Sequence, residues 1–350
     1  MKKVIFKAIA LIALTYPTTL TGQRISFSST TQGPEERPES IIEKMDRHGI
    51  FNSIEVAANI GTTGLGLEVA SPMTEWTKLR VGFDCMPQFT IPMNFGMENY
   101  VDGKVNDKFD RIQEMMYNLS GMTIDKEVRM NSKPTMTTFR LLVDVYPFKE
   151  NRHWHFTAGF FVGGRSAGKS INTITEMPSL LALNMYDRLY NGITSEDFLD
   201  KVYDDPHFLY DLTGIKALDN TFLNPEAAEE LQEKMRSMGK LGVHVGDYKD
   251  GSPYMMMPDK DGTVSAKAKV NRFRPYLGFG YGGALSPDGK WQASFDAGVQ
   301  FWGGAPKVTT HDGTVLNDLI NLRGKVGTYM GLMKAIPVYP TIDFRISYSF

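Results

Sequence analysis

Gly163-Gly-Arg-Ser-Ala-Gly168-Lys169-Ser170 fits the spacing G-x-x-x-x-G-K-[ST] in full. In that motif backbone amides cradle phosphates, the lysine reaches the terminal phosphates and the hydroxyl holds magnesium. Its surroundings argue against that chemistry. The strand leading in alternates apolar and polar residues, whereas a phosphate loop follows a strand that is buried on both faces. Ile171 to Thr175 are mostly β-branched, and Pro178 interrupts the helix that should follow. The expectation is a glycine-rich rim of a β structure that binds no cofactor.

Other reactive residue types are as sparse. His48, His153, His155, His207, His244 and His311 are scattered, and no carboxylate–histidine spacing resembles a zinc site. Met255, Met256 and Met257 lack the His or Cys company that thioether ligands need, so they read as packing. Cys85, the one cysteine, lies in an alternating strand and reads as a small apolar residue. No catalytic residue is assigned and no enzyme is expected. The elements that hold these residues carry more information than the residues do.

The chain has 350 residues, a formal net charge of −2, 33 Gly, 21 Phe and 15 Tyr. The composition leans toward β structure, and without a sustained basic patch it gives no reason to expect nucleic acid. Lys2 and Lys3 followed by the apolar Val4–Leu14 run predict an export signal cut just before Gln23. Residues 23–50 read as a leader with a short strand at Arg24–Ser28 and a short helix from Ile41 to His48. No run of about 18 apolar residues follows, which excludes helical spans but not a β-barrel.

Alternation then dominates. Ile54, Val56, Ala58 and Ile60 share a face, and after Gly61–Gly64 the apolar parity switches to Leu65, Leu67 and Val69, which a bulge or glycine kink would allow. Further spans run from Leu79 to Phe89, Thr138 to Tyr146, Trp154 to Val162, Phe273 to Tyr281, Trp291 to Phe301 and Thr341 to Phe350. Successive strand side chains point to opposite faces. Each span therefore has one oily face, and Phe273–Tyr281 and Trp291–Phe301 carry aromatics at both ends. The opposite faces carry Glu55, Glu68, Arg80, Asp84, Arg140, Asp144, Arg274, Asp296, Asp343 and Arg345.

A soluble two-layer protein would need a common core for strands separated by long inserts; a barrel in lipid needs none. The expectation is an all-β fold with helical inserts: a transmembrane antiparallel up-and-down β-barrel of eight strands, its lumen crossed by ion pairs and closed. The spans above number seven and bacterial barrels are even-stranded, so one strand is owed, either before Ile54 or within 305–335. Residues 51–350 form the barrel, with inserts at 90–135 and 170–268. Helical spacing is expected at Lys108–Leu119, Leu180–Leu189, Glu196–Leu209, Pro225–Met238 and Thr314–Met333.

The stretches Gly61–Val69, Leu79–Gly82, Val143–Phe148, Phe156–Gly159, Pro275–Gly280, Phe295–Gly298 and the terminal aromatic strand resemble the repeating signatures of small exported outer-membrane β-barrel proteins of Gram-negative bacteria. The resemblance implies location and fold and little chemistry. It implies outer-membrane lipid as surroundings, and Phe350 resembles the carboxy-terminal signal read by the barrel assembly machinery. The expected role is structural or surface-interacting. A narrow passive channel or ligand-binding barrel is the alternative, with a barrel-embedded lipid hydrolase third.

Overall fold

The computed structural model describes residues 51–335 and 338–350. The expected export signal, the expected leader with its short elements, and His48 lie outside the described residues. The chain opens with β1 (Glu55–Gly61), β2 (Gly64–Thr74) and β3 (Thr77–Cys85). A first insert holds β4 (Ile91–Val101), β5 (Lys104–Asn106), α1 (Phe109–Ser120) and β6 (Glu127–Pro134). Strands β7 (Thr137–Val145) and β8 (Trp154–Gly163) follow. The second insert holds β9 (Ser166–Asn172), α2 (Met177–Ile193), α3 (Phe198–Asp204), α4 (Phe208–Thr213), α5 (Pro225–Met238), β10 (Lys240–Asp247), β11 (Pro253–Met256) and β12 (Ser265–Lys269). After β13 (Phe273–Ala284) and β14 (Trp291–Phe301), a third insert carries β15 (Lys307–Thr310) and α6 (Gly324–Ala335), and β16 (Val338–Ser349) closes the chain.

Eight of these strands, β1, β2, β3, β7, β8, β13, β14 and β16, close into an antiparallel barrel in chain order. The strand owed by the parity of the spans is neither before Ile54 nor within 305–335. The stretch Ile54–Val69 is a hairpin: Gly61 pairs with Gly64 across the two-residue loop Thr62–Thr63, and Ile60 with Leu65. A two-residue reversal shifts apolar parity just as a bulge does, so alternation alone cannot separate the two. Gly64 stands at φ +108°, and a Cβ there would meet the Cys85 carbonyl oxygen at 2.3 Å. Only glycine fits the turn.

The inserts are not mere helical excursions. Their strands form a second sheet, ordered β11-β10-β4-β6-β9-β12-β15, with β5 added against β4. The run β4-β6-β9-β12-β15 repeats the barrel order β3-β7-β8-β13-β14, so the wall continues past the barrel rim on five strands. The phosphate-loop look-alike is part of this wall: Lys169 and Ser170 lie in extended β9, paired with β6 and β12, not at the start of a helix. Strand β10 shows no alternation because both faces are buried. The sequence spacing therefore missed it, and it also missed β4, β5, β6, β9, β11, β12 and β15.

Helices α1, α2 and α5 fall where the spacing placed them, α5 capped by the Asn224 side chain accepting from the Ala227 amide at 2.8 Å. The expected Glu196–Leu209 helix is two, α3 and α4, separated at Asp205–Pro206, since proline cannot continue a helix. Only Gly324–Ala335 of the expected Thr314–Met333 helix forms. Residues from all three inserts, among them Ile112, Met116, Leu183, Tyr186, Phe198, Val243 and Leu316, make one buried cluster. Helices and second sheet thus form a cap with its own core at the insert end of the barrel. Leu183→Ala should weaken the cap by about 2–5 kcal/mol, read as a lower denaturant midpoint of the cap with the barrel's own midpoint unchanged.

Candidate functional site

The lumen is where the chain concentrates its charge. Inward parity on successive strands brings Glu68 from β2, Arg80 from β3, Arg140 from β7 and Arg345 from β16 together. Glu68 Oε1 accepts from Arg80 Nε at 2.8 Å and from Arg345 Nη1 at 2.9 Å. Its Oε2 lies 3.0 Å from Arg140 Nη2, close enough for an ion pair but without hydrogen-bond alignment. Arg80 Nη1 also donates to Asp144 at 3.1 Å and to Asp296 at 3.0 Å. Arg140 Nη1 stands 3.6 Å from Asp84 and 3.9 Å from Asp343. Lys78 closes the turn end of the network, 2.6 Å from Glu55.

Neutral donors complete it: Asn59 to Asp84 at 2.9 Å, Thr63 to Asp343 at 3.1 Å and Thr157 to Asp144 at 2.8 Å. His155 Nε2 lies 2.8 Å from Asp296. Arg80 and Arg140 are at most 2% exposed. Charges so buried are tolerated only when paired and hydrogen-bonded. Beside them Leu142, Phe161 and Tyr276 add a small buried apolar cluster, the rings of Phe161 and Tyr276 edge to face at 5.4 Å.

All the charged residues that alternation assigned to the inner faces are buried inside the barrel. Arg274 alone stands apart: its Nη1 meets the Met136 sulfur at 2.9 Å, and among the described residues no carboxylate lies within ion-pair reach. Sequence reasoning missed Lys78 and His155. The signal for both was parity, since Lys78 is two residues before Arg80, and His155 opposes the Trp154 and Phe156 face.

Outward, the barrel is oily. Val56, Ile60, Leu67, Phe83, Phe139, Phe156, Leu277, Phe279, Phe344 and Ile346 are all exposed large apolar side chains. At the turn end Trp154 meets Tyr281 at 5.0 Å, Trp291 meets Tyr348 at 5.1 Å and Tyr348 meets Phe350 at 4.9 Å. Cys85 is free and points outward with them.

No protein-family model and no curated protein matches this chain. Among solved structures, Acinetobacter baumannii CarO is similar at 12% identity and a TM-score of 0.37, over 85% of this chain and 97% of that one. Acinetobacter baumannii CarO2 is similar at 13% identity and 0.35, over 85% and 98%. A major outer membrane protein from Thermus thermophilus is similar at 10% identity and 0.28, over 85% and 98%. Likeness of that size says nothing about this chain's activity.

The cap carries two further polar features. On the outer face of the second sheet Lys133, Lys169 and Lys267 stand side by side in register, all exposed, with Lys269 paired to Lys307 beside them. None has a carboxylate within 4.0 Å among the described residues, and like charges directly opposite are unfavourable. Inside the cap, buried His244 lies between acids, Nδ1 at 2.9 Å from Glu98 and Nε2 at 3.0 Å from Asp247. Tyr100 donates to Glu98 at 2.6 Å, and Asn321 to Asp247 at 3.0 Å. Burial pushes both carboxyls up, but these hydrogen bonds outweigh it and hold each below its ordinary value.

Two outcomes are expected. Glu68→Gln keeps the shape but removes the carboxylate shared by three guanidinium groups, leaving Arg345 without an ion-pair partner among the described residues, and should cost about 3–5 kcal/mol, read as a lower temperature for conversion of the folded band on SDS gels. Because the Glu98 and Asp247 pKa values are depressed on folding, their stabilisation is present above the ordinary values of 4.5 and 3.8 and fades as pH falls through the lower folded ones. Acid titration of cap unfolding should show that loss, reduced in His244→Gln.

Proposed function

We propose that this protein is an exported outer-membrane β-barrel whose closed lumen serves as an anchor, and whose cap acts at the cell surface as a structural or interaction module. The observation that carries the reading is the two-faced wall: a ring of exposed apolar and aromatic side chains outside, and a cross-braced set of buried charges inside. Such an outer face suits acyl chains, with aromatic girdles at the interfaces. Barrel strands of about 9–11 residues suffice to cross a bilayer, and apart from the seven-residue β1 those here run from 9 to 12 residues.

Eight strands leave an interior that side chains can fill. Here guanidinium groups, carboxylates and the Leu142–Phe161–Tyr276 cluster occupy it, which favours an anchor over a channel. The start of β1, the end of β16 and the turns β2–β3, β7–β8 and β13–β14 share one end, and all three inserts emerge at the other. Short turns on the periplasmic side and long loops outside are the usual asymmetry, so the cap faces outward. The in-register lysines suit an anionic surface partner. Phe350, which caps the aromatic terminal strand, fits recognition by the barrel assembly machinery.

Purified protein in planar bilayers should show no discrete openings; regular single-channel steps would contradict the closed lumen. Trypsin added to intact cells should cut within residues 164–272. Protection of that insert until the envelope is broken would contradict the outward cap.

A further inference from the structure

Above the barrel rim, the inner face of the wall extension and helix α6 line a half-open chamber of about 410 Å³. Its lining is almost wholly apolar: Met93, Met130, Met256 and Met330 with Phe95 and Val308 supply much of it. Ser132 and Ser170, which also line it, satisfy one another at 2.8 Å. Half-exposed Phe89 and Tyr329 sit at its rim. A volume of that size is typical of a small-molecule site, and methionine side chains adapt to a flexible apolar chain.

What lies beneath the chamber is less expected. Met136 lines it, and the Met136 sulfur takes the only side-chain hydrogen bond that fully buried Arg274 makes among the described residues. Arg274 Nε and Nη2 find no acceptor there. Close by at the same end of the lumen, Gln300 is also fully buried and its Nε2 has no acceptor, while its Oε1 accepts from Trp302 at 3.4 Å. Trp302 and Tyr339, stacked at 4.6 Å, both line the chamber. A buried cation facing a thioether is an unfavourable arrangement. It becomes a favourable one when an anion with an apolar body enters from above.

We propose that the chamber binds a long-chain alkyl carboxylate, its chain among the methionines and its carboxylate on Arg274. The head group reaches the guanidinium by displacing the flexible Met136 side chain, and a carboxylate is the planar acceptor that a guanidinium fork pairs with best. Gln300 Nε2 offers a further donor beside it. This site is independent of the anchor reading, because a cap chamber fills or stays empty whether or not the lumen conducts.

The test uses the full chain in lipid nanodiscs, a photoactivatable oleate analogue as probe, and the matching alcohol as uncharged control. Cross-linking should map to chamber peptides containing Met93, Met130 or Met256. Arg274→Gln should weaken carboxylate binding at least about tenfold, the size of one lost charged hydrogen bond, and leave the alcohol unaffected, while Arg274→Lys restores part of the affinity. Ala268→Phe, which fills the chamber without touching Arg274, should abolish labelling, its folding checked by mobility on unheated SDS gels. Labelling confined to the outward rows of the barrel, equal affinity for acid and alcohol, or labelling that survives Ala268→Phe would overturn the proposal.

Discussion

One carboxylate facing three guanidinium groups sets the terms for this molecule. Glu68 sits where side chains from β2, β3, β7 and β16 converge, and Arg80, Arg140 and Arg345 all close on it. Removed from water, such charges persist only if each has a partner, and the partners come from strands on opposite sides of the tube. Barrel closure and charge pairing are therefore one constraint. A slip of one residue on any strand would turn its charges outward and its phenylalanines inward.

The same constraint separates the two halves of the structure. Below the rim, an ionic interior and an oily exterior make an inside-out protein. Above it, five of the wall strands continue into a cap whose interior is apolar and whose outer face carries lysines. The reversal happens within a few residues of chain. Arg274 and Met136 mark the border, an uncompensated cation from the charged tube touching a methionine of the oily chamber.

Alternation made the barrel legible where every strand is half oily and half charged, as in β13, β14 and β16. It failed in two physically distinct ways. A tight hairpin at Thr62–Thr63 mimicked a bulge, because both move apolar residues to the other parity. Strands of the cap gave no signal because β10 is buried on both faces and β9 is built from small and polar residues. The inner-face charges could be assigned by parity alone, but which pairs they form, and that Arg274 forms none among the described residues, depends on strand order and barrel radius. The chamber could not be foreseen, since its lining comes from all three inserts.

Depth-resolved quenching by brominated lipid along β16 tests the central claim most directly. With Cys85 replaced by alanine, a fluorophore is placed on single cysteines at 342 to 347 in reconstituted vesicles. The account predicts quenching at Ile342, Phe344 and Ile346 and none at Asp343, Arg345 and Ser347. Uniform quenching, or none at the apolar positions, would contradict a barrel that shows its oily face to lipid and its charges to an enclosed lumen.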